Sequence, residues 1–464
     1  MKRVHCGASA LLAAALLSGC AALAPNPPLQ VAPLELPAQW STPAATAAVD
    51  TDAAKIAADW WTQLGDPELD RLVALALAQN NDLQTALARV REAQAQLDAA
   101  GAAGTPQLNA TLGAQSGRSL GAFGPTHTRS VQPGLQASWE LDVWGRLAQL
   151  NQAADARLQA SQADRDAVAL NVAATTVQAY VGLRALEAQL AISESTVTAR
   201  QQALDLALDQ VRVGYISQLQ QTQARAELAS VQQQVEQLRA QIDRQRNTLH
   251  LLLGQAGGAL PAAGMRLPAL QLPPVPTSLP SQLLERRPDI ARAAALLAAS
   301  DHQLQAQRAA FLPQVNLSAS VGSLLVNALS YNPLTVWSLG GSLLAPLFDA
   351  GRLQAQADAA SAQRDQAALA YRGAVLSAFA DTENALTGTV RLAEQTRFAV
   401  ERRDVLQQSL VYAHDRYQAG YASYLEELDA QRNLFSAELE VVRLHQAELD
   451  NRVQLYKALG GGWR

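Results

Sequence analysis

The feature that most constrains this chain is a copy of itself. Residues 211–254 read VRVGYISQLQQTQARAEL…NTLHLLLG. Their Gly214, Leu219, Ala224, Leu228, Leu249 and Gly254 recur 206 positions later as Gly420, Leu425, Ala430, Leu434, Leu455 and Gly460. Pro106, Gln107 and Asn109 recur 207 positions later as Pro313, Gln314 and Asn316. A register this constant over two halves marks internal duplication. It predicts one architecture used twice, over 60–260 and 281–464, with a Pro-rich linker at 261–280.

Each copy predicts long helices interrupted by one hairpin. Proline is absent from 134 to 260 and from 347 to the end, which suits uninterrupted helix. Ala, Gln and Leu dominate, with aromatics at 5% and charged residues at 17%, a coiled-coil composition. The first copy opens on WWTQLGDPEL (60–69), where Asp66 reads as an N-cap and Pro67 as the first helical residue. Between the helices, Val131, Pro133, Leu135, Ala137 and Trp139 alternate with Gln132, Gly134, Gln136, Ser138 and Glu140. Val315, Leu317, Ala319 and Val321 alternate likewise with polar neighbours. That period of two predicts hairpins at 106–142 and 313–349, each with one wet face.

After each hairpin come the longest helices, 146–213 and 352–419. Sixty-odd residues at 1.5 Å each give a rod of about 100 Å. Gly214 and Gly420 read as left-handed caps at two helix turns, followed by helices 217–253 and 423–459. Four strands cannot close a membrane barrel, whose smallest versions have about eight. If these strands span lipid, several chains share one barrel.

The N-terminus reads as an export signal over 1–19, with Lys2 and Arg3 before an apolar run. Leu17-Ser18-Gly19-Cys20 resembles the bacterial lipobox, which implies diacylglycerol on the Cys20 thiol and an acyl chain on its amine. Cys6 leaves with the signal, so the mature chain keeps one thiol and forms no internal disulfide. Residues 20–59 then read as a lipid-anchored tether, with six prolines within 24–47. No later run of 18 apolar residues predicts a membrane helix. A net charge of −5 without a basic stripe argues against nucleic acid as a partner.

No enzymatic constellation is present. His127, His250, His302, His414 and His445 have no metal-ligand spacing, and there is no phosphate-binding loop or nucleophile elbow. The expectation is a non-enzyme with no metal and no cofactor beyond its lipid. One acidic group stands out past the second turn: Glu426 and Asp429 are i and i+3, on one helix face. Repeated around an axis, such carboxylates favour cations. Glu427 stands between them and leans further than they do toward a solvated acidic turn. The first copy has Gln220 and Gln223 at the corresponding places.

The lipobox, WWTQLGDPELDRL, ERRPDIARAA, FLPQVNLSASVG, PLFDAGR, RYQAGYASYLEELDAQRNL and LYKALGGGW together resemble the outer membrane factor family. These are TolC-like ducts, here of the lipidated NodT/OprM-type branch, and the resemblance spans 17–464. It implies a mixed α and β membrane protein: a homotrimer sharing a twelve-stranded outer-membrane barrel and a long α-helical periplasmic tunnel with an equatorial girdle. The tunnel's closed end falls at the turns around Gly214 and Gly420. Glu426 and Asp429 match the family's acidic constriction, with Gln220 opposite in the first copy, and Leu219, Tyr417, Tyr424 and Leu425 are expected to hold the tip shut by packing. Trp139 and Trp337 are expected in the membrane belt, near the periplasmic ends of strands two and four. The implied function is the outer-membrane channel of a three-part efflux system for drugs or other small toxic compounds. Its partners are a periplasmic adaptor, an inner-membrane pump of the resistance-nodulation-division class, and outer-membrane lipid. The alternatives are an exit duct for type I protein or peptide secretion and a non-conducting trimeric lipoprotein scaffold.

Overall fold

The computed structural model describes residues 40–41, 57–121, 124–258, 264–275, 283–327 and 333–461; the signal and Cys20 lie outside them. In chain order the elements are α1 (Pro67–Gln79), α2 (Asn81–Ala102), β1 (Gln107–Gly121), β2 (Gly124–Leu141), α3 (Arg146–Arg212) and α4 (Gln218–Leu252). The second series is α5 (Leu283–Arg286), α6 (Pro288–Ala309), β3 (Gln314–Val326), β4 (Leu334–Leu344), α7 (Arg352–Gln418) and α8 (Tyr424–Ala458). The copies match in length: α2 and α6 have 22 residues each, α3 and α7 have 67, and α4 and α8 have 35.

The copies also match at their joints. Asn80, just before α2, donates from Nδ2 to the Leu252 carbonyl in the last turn of α4 (2.9 Å). Arg287, its counterpart before α6, donates from Nη1 to the Ala458 carbonyl at the end of α8 (3.1 Å). Each bond satisfies a carbonyl that a helix end leaves open. Gly254 and Gly460 close the same joints at positive φ, 69° and 96°. A Cβ there would stand 2.5 Å from the Gln79 carbonyl oxygen and 2.6 Å from that of Arg286, so only glycine fits. Arg287 is buried and also binds both oxygens of Asp289 (3.0 and 2.7 Å) and Asp381 (3.2 Å), which gives the ERRPDI motif its structural work. Burial works against ionisation of Asp289, but the Arg287 hydrogen bonds and charge outweigh it and hold its pKa down.

The chain divides into two compact units, and each draws on both copies. The first holds residues 89–162 and 292–373, including the sheet. That sheet is antiparallel in the order β1-β2-β3-β4. Its registers, Leu108↔Ala137, Leu135↔Val321 and Val321↔Trp337 among them, put one apolar set on one face. Gln107, Asn109, Thr111, Gln136, Ser138, Ser318 and Ser320 take the other. The β2–β3 register skips Gln132 and Pro133, where proline brings no N–H to the ladder. β4 stops at Leu344, short of the expected 349, because Pro346 two residues on cannot donate.

The second unit holds residues 35–88, 163–291 and 374–464. Its core stacks Trp60 on Tyr456 (centroids 5.3 Å, 22°) among Leu64, Leu69, Val73, Val177 and Val453. Asp66 caps α1 by accepting from the Glu68 N–H (3.0 Å), with Pro67 at the helix start. Its other oxygen accepts from the Tyr180 hydroxyl and from the Met265 N–H (2.8 Å). The described part of the expected linker is therefore structured: Leu267 and Leu270 enter the core, and the Gln271 N–H bonds the Leu64 carbonyl (3.0 Å). The expected tether is also fastened where it is described. Trp40 is buried among Ala385, Leu386, Leu455 and Leu459, and the Ser41 N–H donates to Glu383 (2.7 Å).

Candidate functional site at the helix turns

Gly214 and Gly420 turn the chain at φ 76° and 77°. In each turn the following N–H reaches back to close the helix, Tyr215 to the Gln210 carbonyl and Tyr421 to that of Arg416 (2.8 Å each). This is the Schellman geometry that favours glycine. The two re-entering helices then differ. Ser217 caps α4 in a reciprocal box: its hydroxyl accepts from the Gln220 N–H (3.4 Å), and the Gln220 side chain accepts from the Ser217 N–H (3.2 Å). Gln220 is thus turned onto its own backbone, as the S-x-x-Q spacing allows. Ser423 makes no such side-chain bond, and Glu426 reaches Arg416 across the turn instead (3.3 Å).

Behind the turns lies a small core. Tyr424 is buried with Leu204, Ala207, Ala224, Leu228 and Leu428, and Tyr417 packs at its edge (ring centroids 5.8 Å, 57°). Burial raises the pKa of both phenols. Leu219 and Leu425 are not part of this packing. They are 66% and 50% exposed in the single chain, since both stand in first turns off the buried stripe. Leu219 lies nine residues, half a revolution, from buried Leu228. Beside the cluster runs an apolar groove of about 470 Å³, lined by Leu206, Ile216, Leu410 and Val411, with His414 and Tyr417.

Glu427 reverses the expectation of a solvated residue: it is 6% exposed. One of its carboxylate oxygens bonds His414 Nδ1 (2.8 Å) and accepts from Gln431 Nε2 (3.1 Å), and the amide oxygen Oε1 of Gln431 accepts from buried Arg200 of α3. Arg432 of α8 pairs with Glu227 of α4, whose carboxyl is held below its usual range chiefly by that hydrogen bond. Burial lowers the Arg200 pKa. These polar contacts tie α3 and α4 to α7 and α8. Residue patterns could not reveal them, because Gln221, Leu208 and Asn433 stand where the other copy has Glu427, His414 and Glu227. Asp429 is exposed in the single chain, near Arg432 (3.5 Å).

On the sheet, Trp139 sits at the helix-side end of β2 and donates from Nε1 to the Gly104 carbonyl (2.9 Å). Trp337 does not sit at the corresponding end of β4. It is the fourth residue of an eleven-residue strand, on the apolar face and 76% exposed. The aromatics that accompany Trp139 near the helix side are Trp144, whose Nε1 donates to the Pro313 carbonyl (2.7 Å), and exposed Phe348. Both fall in irregular segments, which period-two counting passes over.

A duplicated helical chain whose described residues form one four-stranded sheet, with an exposed apolar face and a polar one, fits the class of membrane-duct subunits that need further copies to close a barrel. The comparisons with known proteins agree. The profile of the family described as Outer membrane efflux protein matches residues 72–255 and 279–461, one block per copy. The chain is 37% identical over 98% of its length to the pyoverdine export outer membrane protein OpmQ of Pseudomonas aeruginosa, covering 96% of that protein. It is 31% identical to the probable outer membrane lipoprotein SilC of Salmonella typhimurium, covering 97% of each chain. The solved outer-membrane channel OprN superposes with a TM-score of 0.86 at 29% identity, over 94% of this chain and 99% of that one. This chain belongs to the outer membrane efflux protein family. It is the outer-membrane channel of a tripartite efflux system, a homotrimer whose chains together close one barrel and continue as a helical tunnel in the periplasm.

Proposed function

We propose that the cargo is a small polar organic molecule of the siderophore class, loaded by a pump of the resistance-nodulation-division class through a periplasmic adaptor. The observation that carries this is the wet face of the sheet. From Gln107, Asn109, Thr111 and Gln115 to Gln136, Ser138, Ser318 and Ser320 it offers amides and hydroxyls, and the one acid among its described residues, Glu140 at the strand end, is paired with Arg146. Such a wall exchanges hydrogen bonds with a polar solute and holds none of them tightly. The likeness to a pyoverdine exporter over nearly the whole chain supports the same cargo class. Glu426 and Asp429 form the cation-favouring constriction in this reading, Tyr417 and Tyr424 hold the tip within each chain, and Leu219 and Leu425 are left to pack between chains. Cys20 carries the lipid anchor, supported by the likeness to a lipoprotein; the mass of the N-terminal peptide reads the thioether and N-acyl group directly. The test of the cargo is a deletion strain. Fluorescent siderophore should build up in its periplasm and return to the medium on complementation; unchanged export would refute the cargo assignment.

A further inference from the structure

We propose that Arg118, His127 and Arg129 form a binding site for the phosphate-bearing glycolipid headgroup of the outer leaflet, one site per chain on the outside of the barrel. The β1–β2 register runs unbroken from Gln107↔Ser138 to Gly121↔Gly124, so alternation fixes the face of every side chain. Arg118 shares its face with Leu108 and Leu112, and Arg129 shares that face with Val131, Leu135 and Trp139. All three basic residues therefore stand on the apolar, lipid side.

Their height follows from strand geometry. Arg129 and Trp139 are ten residues apart on β2. At about 3.4 Å per residue and a tilt of about 40°, that is roughly 26 Å of height, against an apolar band of about 25 Å. Trp139 marks the edge from which α3 departs into the periplasm, so Arg129 reaches the opposite headgroup layer. A guanidinium is costly in mid-membrane and nearly free at that edge.

The patch is arranged for an anion. Arg118 lies directly opposite His127, and Arg129, opposite Ser116, is its diagonal neighbour. Asn327 of the next strand end fixes the backbone beneath: its Oδ1 accepts from the Arg129 N–H (2.8 Å) and its Nδ2 donates to the His127 carbonyl (3.1 Å). Among the described strand residues the only acid is Glu140, at the far end and held by Arg146 (2.8 Å). Nothing described in the sheet neutralises the two guanidinium groups, and their planar donors match phosphate oxygens two at a time. β3 and β4 carry no charged residue, so the site belongs to the first hairpin alone.

The test titrates the purified trimer in detergent with lipid A, with lipid A stripped of phosphate, and with phosphatidylglycerol, read by native mass spectrometry. Up to three lipid A molecules per trimer are expected, with binding at least about tenfold weaker for the dephosphorylated form. Arg118→Gln with Arg129→Gln should weaken lipid A binding by a similar factor, while paired lysine substitutions retain part of it. Equal binding of phosphorylated and dephosphorylated lipid A by the unaltered protein overturns the site without any variant. Equal binding of phosphatidylglycerol overturns the glycolipid assignment, and unweakened binding by the glutamine variant overturns the residues.

Discussion

Glu426 and Glu427 are adjacent in sequence, yet one meets Arg416 at the surface of the turn and the other is buried against His414. Helix geometry separates them by about 100°, so one residue decides between the outer face and the packed one. The i, i+3 spacing of Glu426 and Asp429 was readable, as was the first-copy substitution by glutamine. What Glu427 does was not, because its partners come from α7 and, through Gln431, from α3. Glu426→Gln with Asp429→Asn should reduce the cation preference of the reconstituted channel by roughly twofold or more. Arg416 and Arg432 already offset part of that charge, so the resting channel should open only slightly. Leu425→Ser should raise resting conductance more than the double neutralisation does. An unchanged reversal potential in the neutralised channel would remove these acids from the constriction.

At the scale of elements, the duplication reaches into helix packing. Gly182 of α3 lets Gln245 of α4 come close enough for its amide to donate to the Ala179 carbonyl (2.8 Å). In the second copy Gly388 and Asn451 repeat the device, with the Asn451 amide donating to the Ala385 carbonyl (2.9 Å). All three positions keep the 206-residue offset. The glycines could be seen in the sequence as isolated breaks in helical pattern, but their partners lie on another helix and have no local signature. Gln245 is the longer side chain, and the copies therefore differ in tolerance. A Cβ at position 182 would meet the mobile end of Gln245 at 3.1 Å, whereas at 388 it would stand 2.2 Å from Asn451 Oδ1. Gly388→Ala should destabilise by about 1–3 kcal/mol, the usual cost of overpacking, and Gly182→Ala by less. Thermal unfolding of the two variants side by side checks this; equal midpoints would mean that Asn451 moves aside freely.

For the whole molecule, repeats, helix spans and strand alternation were legible because each is periodic and local. The oligomer was legible only as a necessity, from four strands too few to close. Docking of Trp40 and of residues 264–275 was not legible, since Pro- and Ala-rich segments carry no period and their burial depends on surfaces built elsewhere. The two-faced sheet is what connects fold to function: an apolar face left exposed in the chain, at Leu108, Leu112, Trp337 and Leu339, and amides and hydroxyls on the other side fit a wall between lipid and a shared aqueous lumen. The most direct test is single-channel recording of the purified trimer in planar bilayers. One discrete, repeatable conductance per trimer, cation-preferring and lost on dissociation to monomer, is the predicted result. A folded, membrane-inserted trimer that passes no ions, even with Leu425→Ser at its tip, would make the assembly a scaffold and contradict the duct.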